Sequence, residues 1–211
     1  KWKTKGKGCE GMHDVCYKCP DCGAEHAMLG KGDDLTCSAC GFSVHIDEYL
    51  DLIPNREPKL YMPKNVSDWA IWERKFVINE VRQNPNFSYT QHVKIGNIPT
   101  DHLVKNRSLS SEIVGEGDMT LDHDGIHYLG TRNGEPYSFD LSYETYFRLI
   151  ENINTHAFCL YIDSEYFDFV PSENVTVKMD FIVQEMHRLH FNVWKPVKEH
   201  EYLYEEYQSE Q

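Results

Sequence analysis

Six of the seven cysteines stand in the first 40 residues, at Cys9, Cys16, Cys19, Cys22, Cys37 and Cys40, and only Cys159 lies elsewhere. Four of them form two Cys-x2-Cys pairs, Cys19-Pro20-Asp21-Cys22-Gly23 and Cys37-Ser38-Ala39-Cys40-Gly41, separated by 14 residues. Such a turn sets two thiolates on one side of an ion at about 2.3 Å. A glycine directly behind each second cysteine lets the chain bend so that backbone amides face the sulfurs. The insert suits a short hairpin, so the spacing predicts a zinc ribbon with Zn²⁺ held by Cys19, Cys22, Cys37 and Cys40. With all four positions filled by protein the site is closed, hence structural rather than catalytic. An odd, clustered count reads as metal ligation rather than a disulfide framework, and implies a reducing compartment. Cys16 extends the run, and Cys9, His13 and Cys16 are candidates for a second cluster, for which no fourth ligand is identifiable.

Other chemistry finds less support. His123-Asp124-Gly125-Ile126-His127 resembles a metal-binding run, but Asp124-Gly125 is better explained as a hairpin tip flanked by exposed histidines. His187 and His190 stand one helical turn apart without the intervening Glu of a zinc protease. Gly-x-Ser-x-Gly, phosphate-cradling and dinucleotide-binding signatures are absent. Cys159 alternates within an apolar strand and reads as a core residue. No catalytic or cofactor-binding residue is assigned.

The charge balance narrows the partners. Among 211 residues, 21 Lys and Arg oppose 34 Asp and Glu, a net −13. Nucleic acid, which needs a basic footprint, is excluded as the general partner. The ribbon is itself acidic, with Asp21, Glu25, Asp33, Asp34, Asp47, Glu48 and Asp51 against Lys31, so it is expected to contact protein. No apolar run approaches the roughly 20 residues of a membrane span. The lead-in Lys1-Trp2-Lys3-Thr4-Lys5-Gly6-Lys7-Gly8 is no signal peptide, so a cytoplasmic location is expected. Because the first residue is not Met, the chain is expected to be a piece of a longer protein.

The chain reads as five segments. A basic lead-in covers 1–18, the ribbon 19–52 and a Pro-punctuated linker 53–66. The main domain, 67–194, opens with a helix capped by Ser67 and carrying Trp69, Trp72, Phe76, Val77 and Val81. The period then changes to two through Phe87, Tyr89, Val93 and Ile95, Met119 and Leu121, Tyr137, Phe139 and Leu141, and Phe158, Leu160 and Ile162. Asp124-Gly125, Asn133-Gly134 and Asp163-Ser164 are the turns. A last helix, about 175–190, presents Phe181, Ile182, Met186 and Leu189, and an acidic tail fills 195–211. The fold class is α+β. A small zinc ribbon precedes a helix and a pleckstrin-like antiparallel β-barrel or sandwich, whose C-terminal helix plugs one open end.

The run Tyr17-Lys18-Cys19-Pro20-Asp21-Cys22-Gly23, the second knuckle, Leu52-Ile53-Pro54 and the Trp69/Trp72 helix together resemble the region after the catalytic domain in some bacterial 1-acylglycerol-3-phosphate acyltransferases. The resemblance implies a zinc ribbon and a pleckstrin/GRAM-like domain accessory to phospholipid biosynthesis. It acts by contact with the catalytic domain of the same protein, with a partner protein, or peripherally with the inner face of the membrane. That family's His, followed five residues later by Asp, is absent here: all eleven histidines lack it. The resemblance therefore transfers no catalytic residue. The other reading is a free-standing zinc-ribbon interaction module unrelated to lipid metabolism. Headgroup binding is expected to be weak, because Lys94, Lys105 and Arg107 are offset by Glu112, Glu116 and Asp118.

Overall fold

A computed structural model of the chain describes residues 8–98, 111–152 and 156–191. The expectations for Lys1–Lys7, Lys105, Arg107 and the tail 195–211 lie outside them. The chain divides into two compact units, Lys1–Phe76 and Val77–Gln211.

In the first unit a single-turn helix, α1 (Met12–Val15), precedes β1 (Met28–Lys31), β2 (Asp34–Cys37), β3 (Ser43–Ile46) and β4 (Leu52–Pro54). The strands form an antiparallel meander in that order. Alternation sets the faces: Leu35 and Cys37, then Val44 and Ile46, turn inward while Asp34, Thr36 and His45 stay exposed. Their core includes Met28, Phe42 and Trp69, and also Cys9 and Cys16. The described part of the lead-in thus contributes to this core, with Cys9, Cys16 and Tyr17 buried.

Helix α2 spans Val66–Gln83. Its cap is Asn65, not Ser67: the Asn65 side chain accepts the Asp68 N–H at 2.8 Å, and Asp68 in turn accepts the Lys64 N–H at 2.8 Å. This reciprocal pairing satisfies two donors at the helix start, which a cap at Ser67 would leave inside the first turn.

The second unit carries β5 (Ser88–Asn97), β6 (Glu112–Asp122), β7 (Ile126–Arg132), β8 (Glu135–Leu141), β9 (Ile150–Asn152), β10 (Ala157–Ile162) and β11 (Glu165–Pro171). They make one antiparallel sheet in the order β8-β7-β6-β5-β11-β10-β9. The sheet bends on itself: Tyr137 of β8 lies against Phe167 of β11 at 6.3 Å, and Arg132 pairs with Glu165. Val93, Ile95, Met119, Tyr128, Phe158 and Phe169 fill the concave side, with Met179, Ile182, Val183 and Met186 of the closing helix α3 (Thr176–Phe191). Among the described residues β8 and β9 each pair on one side only, so the sheet is not closed into a barrel.

Several expectations are corrected here. Leu189 is 37% exposed rather than on the buried face. Cys159 sits opposite Asp168 in the register and points away from its buried neighbours Phe158 and Leu160. Asn133-Gly134 is a two-residue turn with φ of 52° and 82°, closed by Arg132 opposite Glu135. Asp124-Gly125 is not a two-residue turn. The last pair is Leu121 with Ile126, because the Asp122 carboxylate accepts the N–H groups of Asp124 and Gly125 and builds a wider loop. Among the described residues, no helix is long and apolar enough to cross a membrane.

Candidate metal centre

The two knuckles are built alike. Cys19 N–H donates to Ala24 carbonyl at 2.9 Å and Gly23 N–H to Cys19 carbonyl at 2.9 Å; Cys37 N–H donates to Phe42 at 2.8 Å and Gly41 N–H to Cys37 at 2.9 Å. Gly23 and Gly41 both take a left-handed backbone, φ 76° and 70°, which glycine adopts without strain. The turned backbone aims amides at the sulfurs: those of Asp21 and Cys22 at Cys19, of Ala24 at Cys22, of Phe42 at Cys40.

The four sulfurs converge within 4.8 Å of one another. Cys19 Sγ lies 3.7 Å from Cys40 Sγ, and Cys22 Sγ 3.8 Å from Cys37 Sγ. A tetrahedral ion with arms of about 2.3 Å requires edges of about 3.8 Å. The cluster is therefore the right size for an ion, with four soft donors whose sulfurs are met by backbone amides. Burial pushes the Cys19 thiol well up despite its amides. Burial also works against a Cys22 thiolate, but the Ala24 amide and the neighbouring thiols outweigh it and hold Cys22 below its ordinary value.

The cation beside the cluster comes from beyond the knuckles. Arg56 Nη2 donates to the buried Asp21 carboxylate at 2.7 Å, to Cys40 carbonyl at 3.2 Å and towards Cys40 Sγ at 3.8 Å. That guanidinium holds the Asp21 carboxyl below its usual value. Asp21 also accepts the Lys59 N–H at 3.2 Å, tying the segment after β4 to the first knuckle. Arg56 escapes the sequence reading because it lies past the ribbon's expected end; its signal is a lone arginine just beyond an acidic module.

The other candidate ligands do not join. Among the described residues this is the one group of three or more Cys, His, Asp or Glu side chains whose ligand atoms converge. Cys9 and Cys16 are buried among apolar side chains, and His13 Nε2 lies 3.2 Å from Asp14. Burial, then Asp33 and Asp34, push the Cys9 thiol up to about 11. In the second unit His127 is held between Asp140 at 2.6 Å and Asp122 at 3.1 Å. His187 donates from Nδ1 to Tyr143 carbonyl at 2.6 Å, while His190 turns to His123. The 187/190 pair thus serves two different contacts. No protein-family model, no curated protein and no solved structure matches this chain.

Proposed function

We propose that the four thiolates hold one structural Zn²⁺ and that the chain is a non-catalytic accessory module acting through protein contacts. The observation that carries this is the pair of sulfur edges, 3.7 and 3.8 Å, at the spacing a tetrahedral tetrathiolate ion asks for. A d¹⁰ ion without geometric preference suits four soft, fully protein-supplied ligands that leave no open position for substrate. For the β-domain, a pleckstrin-like reading is supported by the first strand, β5, lying beside the last, β11, with a helix following the last strand. The acyltransferase resemblance makes the partner a catalytic domain that handles lysophosphatidate.

The test is acyl transfer from an acyl donor to lysophosphatidate by the product of the full reading frame encoding this chain. The expected pattern is turnover by that product, none by the present chain, and reduced turnover when Cys19→Ser is introduced. An inactive full product carrying zinc leaves the free-standing interaction module. Turnover by the present chain alone overturns the non-catalytic assignment.

A further inference from the structure

In the second unit two histidines from distant parts of the chain face each other. His123, in the loop between β6 and β7, sets Nδ1 3.0 Å from Nε2 of His190 near the end of α3. The rings are nearly perpendicular, at 78° with centroids 5.3 Å apart. His123 Nε2 lies 2.9 Å from the carbonyl oxygen of Asn84. A carbonyl only accepts, so Nε2 carries the proton and Nδ1 presents a lone pair to His190. A histidine whose far nitrogen donates to a backbone carbonyl is oriented as metal-ligating histidines are. Asp124, next in the chain, adds a negative charge whose field reaches His190.

The other ring nitrogens that face a defined group are engaged differently. His127 meets two carboxylates, and His92 and His45 meet Asp118 and Asp34, each at 2.9 Å. Only the 123/190 pair brings nitrogen to nitrogen among the described contacts. Two nitrogens 3.0 Å apart subtend about 95° at an ion bound at about 2.05 Å. That is close to the cis angle of an octahedral or square-planar ion and narrower than a tetrahedral one. Imidazole donors in tetragonal geometry favour Cu²⁺ and Ni²⁺.

We propose that His123 and His190 form an exchangeable binding site for a divalent transition-metal ion of tetragonal preference, completed by water. Without the ion, His190 Nε2–H donates to His123 Nδ1. Loading moves that proton to His190 Nδ1, so both rings stay neutral and both facing lone pairs turn to the ion. The bound ion fastens the hairpin loop to the end of α3, and His123 Nε2 already ties that loop to Asn84, the residue that follows α2. Two protein ligands make the site labile, unlike the four-thiolate cluster.

The test titrates the full chain, its cysteine site already filled with zinc, with NiCl₂ at neutral pH by calorimetry and thermal denaturation. The expected result is one saturable equivalent at micromolar concentration and a raised thermal midpoint. Either His123→Asn or His190→Gln should weaken uptake at least about tenfold, while His92→Gln and His127→Gln leave it unchanged. Paramagnetic broadening by Ni²⁺ of the His123 and His190 ring signals in the unaltered protein gives a readout that needs no variant. Undiminished uptake in either variant, ring signals that do not broaden, or no saturation at millimolar Ni²⁺ would overturn the proposal.

Discussion

The Glu73 carboxylate accepts the backbone N–H of Lys18 at 2.7 Å, and neither residue is open to water. One turn earlier on α2, Trp69 donates its indole N–H to the carbonyl of that same Lys18 at 2.9 Å. The helix thereby grips, from both sides, the residue that precedes Cys19. Burial drives the Glu73 carboxyl well above 4.5, with the Lys18 N–H pulling the other way.

A raised carboxyl in the folded state binds a proton that the unfolded chain releases. Its stabilising effect is complete below 4.5 and is lost as pH rises towards the folded value. Glu73→Gln keeps the acceptor and removes the titration. The variant is expected to gain on the parent as pH rises from about 5 to 8, with a slope no steeper than about 1.4 kcal/mol per pH unit. Urea denaturation of both proteins across that range measures it, and a difference that does not vary with pH would show Glu73 to be uncoupled from folding.

Purified protein should carry about one zinc per chain by elemental analysis. Apparent binding energies of about 10–16 kcal/mol for structural zinc exceed or equal the whole stability of most domains. Chelation or Cys19→Ser is therefore expected to unfold the first unit and leave the second cooperative, as hydrogen exchange would record. Arg56→Ala, which frees Cys40 and Asp21 from their cation, should weaken zinc affinity about 10–100-fold without unfolding the loaded protein. Circular dichroism that is indifferent to chelator would end the structural-metal reading.

Gly117 of β6 faces Gly130 of β7 where the sheet curls. A Cβ at 117 would come within 2.5 Å of both the Gly130 Cα and the Leu129 carbonyl oxygen. Backbone cannot yield there as a flexible side chain would, so Gly117→Ala should destabilise the second unit by about 1–3 kcal/mol. A neutral result in thermal denaturation would mean that the two strands can separate at no cost.

Anionic vesicles should not sediment the protein at physiological salt. Lys94 stands directly across from Glu116 in the β5–β6 register, and a screening length of about 8 Å keeps distant bases from helping. About 1 kcal/mol per base near an anionic surface is then opposed by the chain's net −13. Micromolar binding that disappears in a Lys94→Ala/Arg107→Ala protein would reverse this and point to a local basic patch.

The cysteine cluster was legible because each knuckle is a local object, complete within six residues, whose spacing and glycine are written in order. Alternation exposed β5, β6, β8 and β10 for the same reason, since a half-buried strand repeats every two residues. What escaped depends on distant partners or on side chains that override a local rule. Asp122 rebuilt the Asp124-Gly125 turn by capturing two amides. Asn65 outcompeted Ser67 as cap through its exchange with Asp68. The strand β9 is only three residues long, too short to show a period. Glu73 lies four residues after Trp69 and three before Phe76, so helical spacing does set it beside the apolar stripe. Its charge argued against burial, and Lys18, 55 residues away, supplies the reason.

An open sheet leaves two lines of unpaired backbone, and such lines recruit strands from other molecules. Among the described residues of the second unit both are blunted. The outer strand on one side, β8, carries Glu135, Pro136, Ser138 and Asp140 exposed. Proline offers no donor, and the carboxylates repel a like-charged newcomer. The outer strand on the other side, β9, offers only Ile150–Asn152 as template among the described residues. The sheet can therefore remain unclosed without seeding fibrils, and replacing Pro136 with a β-branched residue would remove one of the few barriers between this fold and edge-to-edge aggregation.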